Sequence, residues 1–165
     1  MSKKNSDYFK VYCEVAAQLI SREDKDSPAV KSIIRYVVRE ATNTSSKLPG
    51  YDNKLGAQLM SLAAYEQMRN GNFSNLIGEH VVPVSVILKL LDKFPSPNAD
   101  KVAEIVGHYS KKAVITTHED KSLRLAGLTN RMPDNWDGKK INARYEVLGI
   151  ELVKSKYKEL KASHK

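Results

Sequence analysis

Apolar residues recur at helical spacing through the first part of the chain. Tyr8, Val11, Tyr12, Val15, Ala16, Leu19 and Ile20 fall on one stripe, which predicts a helix buried along that stripe. Ser27-Pro28 offers an N-cap followed by proline at the first helical position. Val30, Ile33, Ile34, Val37 and Val38 then give a second helix, over 28–41, its apolar face. Residues 42–53 are polar, contain Pro49-Gly50 and read as a loop. A third helix is expected over 54–69, with Leu55, Leu59, Met60, Leu62, Ala63 and Met68 as its apolar positions. Asn70-Gly71-Asn72 ends it.

The period changes after that. Leu76-Ile77 is a short apolar stretch, followed by a helix over 84–94 carrying Ile87, Leu88, Leu90 and Leu91. Pro95-Ser96-Pro97 breaks it, and Asn98 or Asp100 can cap the next helix, which runs to Tyr109. Ala113-Val114-Ile115-Thr116-Thr117 is the best strand in the chain, short and rich in β-branched residues. A helix over 118–128, a loop over 132–138 and a short helix over 141–148 ending at Gly149 complete the pattern. From Glu151 the chain reads as a lysine-rich helix or a frayed end. The expected fold class is α+β and mostly helical, with N-terminal helices packed on a small ββα-type site. The regions are a helical segment 1–75, a site region 76–150 interrupted by a helical insertion 84–112, and a basic tail 151–165.

Composition narrows the class. A chain of 165 residues with 41% hydrophobic and 28% charged residues can bury a core without staples and is not expected to be disordered. No apolar run approaches the roughly 18 residues of a membrane span, so no membrane partner is expected. The charged N-terminal stretch has no signal-peptide pattern. Cys13 is the only cysteine, so no internal disulfide can form; it falls on an apolar helical face and reads as core. Together these favour a reducing, cytoplasmic setting. Lys and Arg number 27 against 19 Asp and Glu, a formal charge of +8. That surplus draws a protein towards polyanions, nucleic acid first among them.

The string Glu79-His80-Val81-Val82-Pro83 is the most informative in the chain. An acidic residue beside a histidine, two β-branched residues and a proline suits phosphodiester hydrolysis, which needs a base for water and a cation for the phosphate charge. The string resembles the first motif of the HNH, or His-Me finger, nucleases, which reads Asp-His-Ile-Val-Pro or a close variant. The downstream strand 113–117 and the charged segment His118-Glu119-Asp120-Lys121-Ser122 resemble the second half of that motif, as in the HNH domains of CRISPR effector nucleases. The resemblance covers 79–83 and 114–133. It implies His80 as general base and Glu79 as a metal ligand, with a second ligand among His118, Glu119 and Asp120. The chain departs from the family in having Glu before the histidine, a longer separation to the second half, and no Cys-x-x-Cys pairs. A structural Zn²⁺ is therefore not expected, and the implied catalytic cation is Mg²⁺ or Mn²⁺ on oxygen ligands.

Lys121, Arg124, Arg131, Lys139, Lys140 and Arg144 follow, and guanidinium groups clamp phosphates bidentately. The arginines can equally pair with Asp134, Asp137 and Glu146. Gly127 offers close helix packing, and Trp136, the only tryptophan, reads as a packing anchor. The tail lysines Lys154, Lys156, Lys158, Lys161 and Lys165 would make a flexible cationic arm for backbone contact. The expected function is metal-dependent cleavage of DNA. Cutting both strands would call for a homodimer, although no self-complementary face is marked in the sequence. Two rivals share the charge: a non-catalytic nucleic-acid-binding module, and an interaction protein that meets an acidic partner.

Overall fold

A computed structural model describes residues 3–45 and 54–164. In chain order the elements are α1 (Lys3–Ile20), α2 (Pro28–Ser45), β1 (Leu59–Ser61), α3 (Leu62–Arg69), β2 (Leu76–His80), α4 (Val84–Leu91), α5 (Ala99–Tyr109), β3 (Lys112–Thr116), α6 (Thr117–Leu125), α7 (Ala143–Glu146), β4 (Leu152–Lys154) and α8 (Tyr157–Ser163). The fold is α+β and mostly helical. No helix among the described residues is long and apolar enough to cross a membrane. The expected Pro49-Gly50 turn lies outside the described residues.

The chain forms two compact units, and both are built from discontinuous segments. One joins Met1–Pro49 to Val84–Ser110, so the residues expected as an insertion in the site region pack with the N-terminal helices. The apolar stripes meet as the periodicity predicts. Cys13, Ala16 and Ile20 of α1, Val37 and Val38 of α2, Ile87 and Leu91 of α4 and Val102 and Val106 of α5 are all buried. Ser27 caps α2, its hydroxyl accepting from the Val30 N–H at 3.4 Å, and Asn98 caps α5 through the Lys101 N–H at 2.8 Å. Burial pushes the Cys13 thiol up to about 12, which makes it an inert core group at neutral pH.

The other unit, Gly50–Pro83 with Lys111–Lys165, carries a four-stranded sheet in the order β2-β3-β1-β4. β2 pairs antiparallel with β3, β3 parallel with β1, and β1 antiparallel with β4. Here the expected third helix is corrected. Leu59, Met60 and Ser61 are strand, and the helix begins only at Leu62. Ser61 is the switch: it sits in extended geometry as N-cap of α3, and its hydroxyl accepts from the Ala64 N–H at 3.1 Å. Of the two expectations for the tail, the lysine-rich helix is met over Tyr157–Ser163. The tail is neither a frayed end nor a free arm, because β4 forms a sheet edge and α8 buries Tyr157 with Met60, Met68 and Val114.

Candidate functional site

Glu79 and His80 end β2, opposite Ala113 and Lys112 of β3. The Val81 N–H carries the pairing one step further, donating to the Lys111 carbonyl at 2.8 Å. β3 runs straight into α6, which lies against both strands. This is a β–β–α arrangement. A strand pair followed by a returning helix buries one sheet face, and the shared core is Val81, Ala113, Ile115 and Leu123 with Leu128 and Tyr145. Leu123 lies in the second half of α6, so that half comes level with the His80 end of the hairpin.

The end of α6 is fixed by backbone geometry. The Leu128 N–H donates to the Leu123 carbonyl at 2.8 Å and the Gly127 N–H to the Arg124 carbonyl at 3.0 Å. That is a Schellman cap, closed by apolar contact between Leu123 and Leu128. Gly127 has φ +68°, so its role is to turn the chain out of the helix rather than to admit a neighbouring helix.

Arg144, expected as a phosphate clamp, is fully buried, and its donors are used inside the protein. Nε donates to the Val81 carbonyl at 2.9 Å and Nη1 to the Leu128 carbonyl at 3.0 Å. Nη2 meets Glu79 Oε1 at 2.7 Å, the Tyr145 hydroxyl at 3.1 Å and the His80 carbonyl. One guanidinium thus ties the end of β2 to the cap of α6. Charge explains the choice: a cation buried this deeply must be neutralised and fully bonded, and Glu79 supplies the carboxylate. Burial raises the Tyr145 hydroxyl well above its ordinary value, against the pull of Arg144.

The residues expected as cation ligands are dispersed. Thr116 pairs with Leu76 and Lys112 with His80, so the first turn of α6 starts about 14 Å along the strand from His80, at roughly 3.4 Å per residue. Glu119 is buried and already engaged. Its Oε2 accepts from the Ser61 hydroxyl at 2.6 Å, the Thr116 N–H at 2.8 Å and the Thr116 hydroxyl at 2.9 Å. Thr116 and Glu119 form a capping box, and through Ser61 the same carboxylate serves the start of α3. Asp120 pairs with Arg124 at 2.6 Å, and His118 is exposed. Among the described residues no group of three or more His, Cys, Asp or Glu side chains is arranged to hold a metal ion. Glu79, His118, Glu119 and Asp120 therefore do not fit the implied Mg²⁺ or Mn²⁺ as one ligand set.

The other basic residues expected at phosphates face solvent. Lys121, Arg124, Arg131, Lys139 and Lys140 are exposed. Arg131 donates to the Gly127 carbonyl at 3.0 Å and lies 3.6 Å from Asp134. Lys139 and Lys140 are presented by an Asp137 turn, whose carboxylate accepts both backbone N–H groups at 2.8 and 3.0 Å. Those bonds hold Asp137 below the usual carboxylate range. Trp136 anchors the same loop, its indole N–H donating to the Lys140 carbonyl at 2.8 Å. The sequence reading missed the roles of Ser61 and Arg144. The Thr116-x-x-Glu119 spacing is a legible capping signal, whereas nothing local marks Arg144 as buried.

No family model, curated protein or solved structure matches this chain.

Proposed function

We propose that this chain hydrolyses phosphodiester bonds of nucleic acid, DNA first, with His80 as general base. The observation that carries the reading is the placement of Glu79-His80 at the end of one strand of an antiparallel pair whose second strand runs directly into a helix. That arrangement agrees with the resemblance to HNH nucleases. His80 takes a proton from water, the resulting oxygen forms a bond to phosphorus, and the opposite phosphorus–oxygen ester bond breaks. The leaving oxygen takes up a proton from solvent, and His80 returns the one it took to solvent. Arg144 holds the His80 and Val81 carbonyls and the Glu79 carboxylate, so the base sits on a fixed strand end, which such chemistry requires. Lys121, exposed at the middle of α6, offers positive charge to the phosphates, and Arg124 does so beyond its pairing with Asp120.

The test is nicking of supercoiled plasmid by wild type and His80→Ala, with Mg²⁺, with Mn²⁺ and with chelator. Nicking by wild type that falls at least about a hundredfold in the variant supports the reading, in line with the usual weight of a general base. Equal nicking by both proteins, or none under any condition, overturns it.

A second reading is favoured by the partners already held by Glu79, Glu119 and Asp120. It takes the chain as a basic nucleic-acid-binding module without turnover. In that case His80→Ala and wild type bind DNA equally and neither cuts it.

A further inference from the structure

The helical unit holds a cavity of about 360 Å³ between α4 and α5, within the size range of small-ligand sites. Its apolar wall is Leu90 and Ile105, joined by the half-buried rings of Phe94 and Tyr109. The walls are anchored. The Phe94 N–H donates to the Leu91 carbonyl at 3.0 Å, extending α4 by a turn, and Asn98 caps α5. The His108 ring stands edge-on to Tyr109 at 4.5 Å.

The charges around this cavity are unequal. Lys101 pairs with Glu104 at 2.9 Å and lies 5.1 Å from the centre of the Phe94 ring. That leaves Lys93, which is exposed and has no hydrogen bond, ion pair or ring contact with another described residue. The cavity therefore offers an apolar floor, two aromatic rings in its wall, Phe94 with Lys101 over one face, and one cation, Lys93, outside any ion pair. A ligand that uses all three is planar, aromatic and carries an anionic group.

We infer that this cavity binds a nucleoside phosphate, with the base against Phe94 and Tyr109 and the phosphate at Lys93. The same chemistry is offered by a free nucleotide and by a single nucleotide of a bound strand, since bases stack on aromatic side chains with little regard to sequence. The cavity belongs to the helical unit and His80 to the other, and binding there does not depend on cleavage.

The experiment is an NMR titration of the full-length ¹⁵N-labelled protein, first with adenosine monophosphate and then with a single-stranded deoxyadenosine hexamer. Amides at Lys93, Phe94, Lys101 and His108 are expected to shift with at least one probe, with a Kd for the mononucleotide on the order of 1 mM. Lys93→Glu should weaken binding about tenfold or more, because it places repulsion where attraction stood. Phe94→Leu should weaken it as well, and both substitutions should leave the rest of the spectrum in place. Shifts with the mononucleotide identify a free nucleotide as sufficient. Shifts with the hexamer alone identify a strand nucleotide, and both results support the site. No shift at these residues with either probe, or affinities unchanged in both variants, overturns it.

Discussion

Arg144 and Glu119 show how one side chain can take a different part from the one its type suggests. Each looks like site chemistry in the sequence, and each is buried structure. Removing one partner of a buried, hydrogen-bonded pair costs about 3–5 kcal/mol, and orphaning buried donors costs about 1–3 kcal/mol. Glu79 keeps 26% of its side chain exposed, so the lower end applies to Arg144→Met. Both Arg144→Met and Glu119→Ala should therefore lower the melting temperature by about 5–10 °C, measured by circular dichroism. His80→Ala should leave it within a few degrees, about the shift of a 1 kcal/mol change. A Glu119→Ala protein that melts like wild type would show that this carboxylate is not a structural cap.

At the scale of elements, the tail separates the two ways of reading a lysine-rich end. As a free arm it would be dispensable for folding. In the structure the Ser155 N–H donates to the Gln58 carbonyl at 2.9 Å, and Phe73 meets the buried Tyr157 edge-on at 6.5 Å. Lys156 and Lys161 lie over the rings of Tyr65 and Tyr157 at 5.6 and 5.5 Å, which lowers their freedom to act as a mobile arm. Deleting residues 152–165 should expose the β1 edge and the Met60–Met68 core. The expected outcome is a melting temperature lower by about 10 °C or more, or no cooperative transition. An unchanged melt would restore the free arm. The helices α1, α2 and α5 were legible because period and caps agree. β1 was not, since Leu59 and Met60 fit a helical stripe equally well and only pairing with β3 and β4 makes them strand.

On the scale of the whole molecule, the charge of +8 is a statement about partners rather than fold. With Arg144 inside, the exposed cations within residues 117–142 are Lys121, Arg124, Arg131, Lys139 and Lys140. Binding to duplex DNA, followed by fluorescence anisotropy, should weaken with salt along a log–log slope of about −3 to −5. Reversing Lys139 and Lys140 to Glu should flatten that slope by roughly 2 units or weaken binding outright. A flat slope in wild type would remove nucleic acid as the partner and leave the acidic-protein reading.

Sequence alone determined what depends on near neighbours. It identified most helices, the cap at Ser27, a cap at Asn98 or Asp100, the β3 strand, the burial of Cys13 and the basic surplus. Those features follow from spacing and from bonds within a turn of chain. Tertiary structure alone decided what depends on distant partners. It joined 84–110 to the N-terminal helices, drew Arg144 onto a strand end sixty-odd residues away, and engaged Glu119 with Ser61. A buried charge is settled by whichever opposite charge and carbonyls the fold brings within hydrogen-bond distance, and no local pattern carries that information.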